Sequence, residues 1–255
     1  TMATYKKRGA KKSVTKPDLS VQQTDSTTAE VFETLDTSAS KAEDFVAKYQ
    51  NIILTVIVVV TLGILGSLGY QSYVVEPTSK EAVSELNQAQ YYFNLAVNGQ
   101  ETDSLYARSI RGGEGKYGFD DIIENYGGTP AADLASYSAG MAYFNMNDFN
   151  AAIDYLKDFS SDDILLSALA KGAIGDSYAQ LGDTDQALNY YEKAIDASQN
   201  NYTSPKYLFK AALLSSTLAK NSKALSYFKL IKSDFPNSEE AAQVDIQIGR
   251  LENIK

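Results

Sequence analysis

A pattern of small and large residues recurs along the C-terminal half of the chain with a period of about 35 residues. The segment from Ala139 to Tyr143 aligns with the segment from Ile174 to Tyr178, and the same offset takes Ala152 to Ala187. A repeat of this length and spacing is typical of tetratricopeptide repeats, in which each unit is a pair of antiparallel helices. The sequence therefore predicts an all-α fold, a right-handed superhelix of helical hairpins.

The repeats predict the boundaries of the C-terminal domain, residues 76–255. A capping helix is expected at its end because the last repeat of a solenoid otherwise exposes an apolar face. The predicted units are a degenerate hairpin at 78–126, repeats at about 133–166, 168–201 and 205–236, and a capping helix at 237–252. Within the degenerate hairpin, Glu76-Pro77 is expected to end the preceding helix, Thr78 and Glu81 to form a capping box, and the glycine-rich residues 99–115 to form a loop.

The first helix of each hairpin should line a concave groove. Counted by repeat position, the candidate groove residues are Tyr137, Met141, Phe144, Asn145, Asp176, Gln180, Lys206, Phe209 and Leu213. Because the set is aromatic and aliphatic with few charges, it favours apolar or extended peptide segments over a charged tail. The alternative is that some of these aromatic side chains pack against neighbouring helices, including the one at 78–97.

A second feature divides the chain before the repeats begin. Ile52 to Tyr70 is a run of 19 residues without a charge, and a helix needs about 20 apolar residues to cross a bilayer. The run predicts a transmembrane helix within residues 51–75, and a signal peptide is disfavoured because a long polar segment precedes it. Gly63, Gly66 and Ser67 form a small-residue stripe on which another membrane helix could dock, although glycine is common in membrane helices generally.

Residues 1–50 are expected to be a polar, largely disordered cytoplasmic tail ending in a juxtamembrane amphipathic segment that contacts membrane lipid. Eight Lys/Arg precede the apolar run, and none follows it before Lys80. The positive-inside rule therefore places the N-terminus in the cytoplasm. In a diderm bacterium the protein would be a single-pass inner-membrane protein with residues 76–255 in the periplasm. This domain is acidic, which argues against nucleic acid as a partner.

Catalysis is disfavoured because the chain contains no histidine and no cysteine. Their absence removes imidazole bases, cysteine nucleophiles and His–Cys metal sites. The pairs Asp120/Asp121 and Asp162/Asp163 are the remaining candidates, but acidic residues at helix starts are more often caps or solvated side chains. The sequence predicts neither a catalytic site nor a cofactor or metal site.

Several motifs in this order resemble a known family: FVAKYQNIIL leading into the apolar run, GYQSY after it, AQYYFNLA, and FPNSEEAAQVDIQIGRL near the end. The chain is similar to the ancillary subunit family of the bacterial SecYEG translocon over roughly residues 40–255. The resemblance implies a non-enzymatic, chaperone-like adaptor. It also implies association with SecYEG, with a membrane-anchored peptidyl-prolyl isomerase-type chaperone and with exported polypeptides. The long N-terminal extension departs from the family. The alternative is a scaffold of another cell-envelope complex, such as outer-membrane assembly or cytochrome maturation.

Overall fold

The computed structural model describes residues 27–99, 102–197 and 199–253, and the regular elements of these residues are helices joined by turns and short loops. Of the predicted disordered tail at 1–50, residues 1–26 lie outside the described residues, whereas residues 27–50 belong to the first helix. The helices are α1 (Thr27–Tyr70), α2 (Glu76–Val97), α3 (Thr102–Arg111), α4 (Phe119–Asn125), α5 (Pro130–Asn145), α6 (Phe149–Asp158), α7 (Ile164–Gln180), α8 (Thr184–Ala197), α9 (Thr203–Thr217), α10 (Asn221–Asp234) and α11 (Ala241–Glu252), with a π-helical turn at Gln71–Val75. The prediction of an all-α fold is confirmed.

The chain divides into two compact units, of which the first ends at Gly66 and the second begins at Ser67. Within the first unit, the aliphatic side chains of residues 56–60 in α1 are each more than half accessible. The stretch Glu43–Val97 contains an 18-residue window of mean hydropathy 2.6 with no part of it buried. It is the one helical stretch among the described residues that is long and apolar enough to cross a membrane, which agrees with a single-pass anchor.

In the second unit, the helix does not break at Glu76-Pro77, so that prediction was wrong. The amide of Glu76 donates to the carbonyl of Gln71 five residues earlier, which closes the π-helical turn, and Pro77 lies in the first turn of α2. Proline lacks an amide hydrogen and crowds the preceding turn, and π-helical turns are a known way to disturb the regular α-helical ladder. Thr78 is not a cap, because its hydroxyl donates to the carbonyl of Val74 at 2.7 Å.

The expected loop at 99–115 instead contains α3, which packs against α2. Tyr106 and Ile110 are buried in the core of this region, and the Tyr106 ring lies 5.6 Å from that of Phe93. The degenerate hairpin therefore has three helices, with the short α4 following a tight glycine-rich connection. In that connection Gly112 has a φ of +78°, and a Cβ there would lie 2.3 Å from the carbonyl oxygen of Lys116.

Three helical hairpins follow, α5–α6, α7–α8 and α9–α10, with α11 packed on α10. Small residues on the first helices allow the close approach that the repeat pattern implied. A Cβ added at Gly140 would lie 2.6 Å from Cγ of Leu156, and one at Gly175 would lie 2.7 Å from the ring of Tyr191. The hairpins can therefore keep their spacing only with glycine at these two positions.

The turn inside each hairpin uses a residue in the left-handed region. These residues are Asn147, Gly182 and Ala219, with φ of 61°, 81° and 55°. In each turn the backbone amide of the residue after the left-handed one donates a hydrogen bond to a carbonyl of the hairpin's first helix. In the third hairpin, for example, the amide of Lys220 donates to the carbonyl of Ser215 at 2.8 Å. Glycine and asparagine tolerate this conformation, whereas alanine carries a Cβ that opposes it. The third hairpin therefore has the least favourable turn of the three.

Candidate protein-binding surfaces

The predicted groove residues of α5 lie mostly between helices. Tyr137 and Met141 are half-buried against the core shared by α6 and α7, and the Tyr137 ring lies 5.3 Å from Phe159. Phe144 is half-buried and lies 5.6 Å, ring to ring, from Phe149. The structure thus assigns these three side chains a packing role, with part of each surface still accessible.

Asn145 and Gln180, at the C-terminal ends of α5 and α7, are exposed. The Asn145 side-chain amide donates to the carbonyl of Met141 at 2.7 Å. On α9, Leu213 is 40% exposed. These three residues form the solvent-facing part of the predicted set.

Asp176 is fully engaged in contacts within the protein. Its carboxylate accepts two hydrogen bonds from Nζ of Lys210, at 2.6 and 2.7 Å, and one from the hydroxyl of Tyr191 at 2.8 Å. The contacts join α7 to α8 and α9. Burial, and then the nearby carboxylate, raise the pKa of Tyr191. Asp176 therefore stabilises the packing of successive hairpins.

On α9, Lys206 and Phe209 also make contacts within the domain. Nζ of Lys206 lies 5.9 Å from the ring centroid of Tyr207, and the Phe209 ring lies 5.6 Å from that of Phe228 on α10. Tyr207 itself is 2% exposed, and its ring occupies the space beside Gly172, where a Cβ would meet the ring at 2.0 Å. Tyr207 was not among the predicted groove residues, because its contact with Gly172 joins two different hairpins and leaves no local motif.

The small-residue stripe of the apolar helix is accessible to solvent. Gly63, Gly66 and Ser67 are exposed, and a Cβ at either glycine would meet nothing within 4 Å. Docking of a membrane partner on this stripe remains a prediction.

The acidic pairs serve helix termini and packing. Oδ1 of Asp163 accepts hydrogen bonds from the amides of Leu165 and Leu166 at 2.8 and 3.1 Å, as a helix N-cap does. Asp120 accepts from the Tyr155 hydroxyl at 2.6 Å, and Asp162 is exposed. Among the described residues no group of three or more acidic side chains is arranged to hold a metal ion.

A feature that the sequence did not reveal is a cavity of about 430 Å³ between α6, α7 and α8. It lies beside the connection from α6 to α7. Its lining is Leu156, Lys157, Phe159, Ser160, Ser161, Ser167, Ala170, Lys171, Ile174, Tyr190 and Lys193. Residues from all three helices contribute, so no local motif could have predicted it.

Comparison with known proteins identifies the repeats. Residues 135–159 and 168–201 match the family model described as Tetratricopeptide repeat. Among solved structures, one described as the crystal structure of MamA matches with 19% identity and a TM-score of 0.37, covering 52% of this chain and 88% of that chain. No curated protein matches. The chain therefore carries tetratricopeptide repeats, a fold that is typically non-enzymatic and that supports a role as a protein–protein interaction adaptor or scaffold.

Proposed function

We propose that this protein is a membrane-anchored, non-enzymatic adaptor that holds partner or client proteins through its tetratricopeptide repeats. The observation that carries the proposal is the presence of both parts in one chain. A helical stretch with a fully exposed apolar window precedes a domain of stacked hairpins. An anchor of this kind confines the repeats to a membrane surface, where they would bind proteins that arrive at or cross that membrane.

The finer proposal is that the protein acts at the SecYEG translocon. The resemblance of the anchor and the C-terminal segment to the ancillary subunit family supports it, and the lysine and arginine distribution supports a periplasmic location for residues 76–255. Residues 1–50 would then be cytoplasmic and 51–75 would span the inner membrane. The partners would be SecYEG, a membrane-anchored peptidyl-prolyl isomerase-type chaperone and exported polypeptides. Gly63, Gly66 and Ser67 would provide the contact within the bilayer.

Partner binding by the repeats would use the accessible part of the first helices. Asn145, Gln180 and Leu213 expose polar and apolar surface there, beside the half-buried Phe144. An extended segment could contact these residues without disturbing the contacts of Asp176. An apolar stretch of a partner would gain at Leu213, which is 40% exposed, so covering it contributes about 1 kcal/mol, a fraction of the value for burying a whole leucine side chain.

The test is a mild-detergent pull-down of the tagged full-length chain, with partners identified by mass spectrometry. Recovery of SecY together with an isomerase would support the translocon function. Recovery of a different envelope complex without Sec components would support the scaffold alternative, and recovery of no specific protein would contradict both.

Two variants separate the surfaces. We expect Leu213→Asp to reduce recovery of soluble partners, and Gly66→Leu to reduce recovery of membrane partners. Ile246→Asp provides a matched control because Ile246 is 65% exposed on α11, outside the predicted groove. Equal losses with Leu213→Asp and Ile246→Asp would contradict the assignment of the groove.

A further inference from the structure

The cavity between α6, α7 and α8 lies on a face of the central repeat that the predicted groove does not use. On α7 it is lined by Ser167, Ala170, Lys171 and Ile174. Successive residues of a helix are about 100° apart, so this stripe lies on nearly the opposite side of α7 from Asp176 and Gln180. A ligand in the cavity and a ligand in the groove would therefore occupy separate surfaces.

Three lysines from three helices converge on this cavity in a chain of net charge −9. Within the described residues, Lys157, Lys171 and Lys193 form no ion pair, whereas seven other cations do. Asp162 and Asp196 are exposed and line an adjoining cavity with Lys171 and Lys193, and the carboxylate of Asp154 acts on Lys157 without forming an ion pair with it. The cavity therefore offers positive charge that no acidic side chain of the described residues neutralises by direct contact.

Aromatic rings hold two of the ammonium groups at the cavity. Nζ of Lys157 donates to the Tyr178 hydroxyl at 3.1 Å, and Nζ of Lys193 lies 4.3 Å from the ring centroid of Tyr190. The two rings are themselves neighbours, with centroids 5.5 Å apart. The hydrogen bond to Tyr178 is the main reason that the pKa of Lys157 is raised, so this lysine stays charged.

Hydroxyl groups and apolar side chains complete the lining. Ser161 accepts a hydrogen bond from the amide of Asp163 and Ser167 accepts one from Lys171, so the hydroxyl hydrogen of each serine remains able to donate. The rings of Phe159 and Tyr190 are partly exposed and form the accessible apolar part of the wall, behind which Leu156 and Ile174 are buried. Ammonium and hydroxyl donors beside an apolar wall suit an anionic group attached to an apolar one.

We propose that this cavity binds a carboxylate of a partner polypeptide, with an adjacent apolar side chain of that polypeptide against the partly exposed rings of Phe159 and Tyr190. The inference rests on the protein-binding function proposed above and adds a second, charge-selective site to it. A volume of about 430 Å³ lies within the usual range of ligand sites, about 300–1,000 Å³. Inorganic phosphate would satisfy the lysines but would leave the partly exposed rings of Phe159 and Tyr190 in contact with water. The carboxylate can come from a chain terminus or from an acidic side chain.

The test uses the full-length chain in detergent micelles and three fluorescein-labelled octapeptides built from phenylalanine, alanine and serine. The first has a free C-terminal carboxylate, the second is amidated and contains glutamate, and the third is amidated and neutral. Fluorescence anisotropy measures each dissociation constant. We expect one of the acidic peptides to bind at least about tenfold more tightly than the neutral one, as charge-assisted hydrogen bonds predict, and which one it is identifies the source of the carboxylate.

Charge reversal locates the site. Lys171→Glu and Lys193→Glu should each weaken binding of the acidic peptide by about tenfold or more, whereas Lys116→Glu, with the same change of charge at an exposed loop position, should leave it nearly unchanged. Lys193 is exposed, so its variant reports on binding even if Lys171→Glu fails to fold. Equal binding of all three peptides, or equal losses with Lys193→Glu and Lys116→Glu, would overturn the proposal. Such a failure would leave the pull-down result standing, because SecY recovery does not depend on these peptides.

Discussion

The contact between Tyr207 and Gly172 gives a sharp test of how the second and third hairpins pack. In Gly172→Ala, the new Cβ would lie 2.0 Å from Cζ, 2.1 Å from Cε1 and 2.2 Å from the hydroxyl oxygen of Tyr207. Cβ atoms essentially never approach other heavy atoms within 3.0 Å. Because Tyr207 is 2% exposed, the ring cannot move aside without displacing its neighbours.

Two opposing terms set the change in the free energy of unfolding that Gly172→Ala causes. Overpacking a dense core costs about 1–3 kcal/mol, whereas alanine in place of glycine inside a helix contributes about 0.5–1 kcal/mol of stability. The clash is severe, so we expect the packing term to dominate. The free energy of unfolding should fall by about 1–2 kcal/mol.

Urea denaturation of the full-length chain in detergent, followed by circular dichroism, measures this change. With a slope of about 2 kcal/mol per molar urea, the midpoint should fall by about 0.5–1 M. Gly249→Ala is the matched control: Gly249 lies in α11 and nothing would meet its Cβ within 4 Å. Its free energy of unfolding should rise by up to about 1 kcal/mol.

A second variant shows whether the ring is responsible. On a Tyr207→Leu background the obstructing ring is absent, so the added methyl group of Gly172→Ala should cost much less than in the wild-type chain. If Gly172→Ala is as stable as Gly249→Ala, or costs the same with and without the Tyr207 ring, the reasoning from this contact is refuted.

Three further predictions concern polar groups, each measured by the same urea denaturation. Asp163→Ala should lower the free energy of unfolding by about 1 kcal/mol through loss of the α7 cap, whereas Asp162→Ala, at an exposed position, should change it little; equal effects would contradict the capping role. Asp176→Asn should cost about 1–3 kcal/mol because Lys210 loses its charged partner. Asp185→Asn, which removes a partner that is 81% exposed, should cost under about 0.5 kcal/mol. Burial and a nearby carboxylate raise the pKa of Tyr191 above its ordinary 10.0, so its contribution is fully present below pH 10 and is lost as the pH rises further. Stability should then fall by up to about 1.4 kcal/mol per pH unit, and Tyr191→Phe should reduce that slope; an unchanged slope would contradict it.

The repeats could be predicted from the sequence because their packing requires particular residue sizes at fixed positions. Gly140, Gly175 and Ala152 are small because another helix lies against them, and that constraint leaves a periodic trace. The apolar helix could be predicted for a similar reason, since a bilayer requires a long uncharged run.

The remaining features depend on contacts between residues that are distant in the sequence. Helix α3 was missed because glycines flank a short segment whose apolar side, with Tyr106 and Ile110, becomes stable only against α2. The path through Pro77 depends on a π-helical turn that has no sequence signature. The cavity was missed because its lysines come from three helices, and each lysine alone resembles an ordinary surface residue.

The left-handed turn at Ala219 has a consequence for local opening. Alanine in this conformation costs about 1–2 kcal/mol relative to glycine, and the adjacent Ser215 hydroxyl is buried without a hydrogen-bond partner among the described residues. In a solenoid each hairpin is stabilised mainly by its immediate neighbours, so a weak hairpin can open while the others stay folded. Amide hydrogen exchange should therefore be faster in α9–α11 than in α7–α8. The C-terminal end of the domain would therefore open locally more often than the repeats before it.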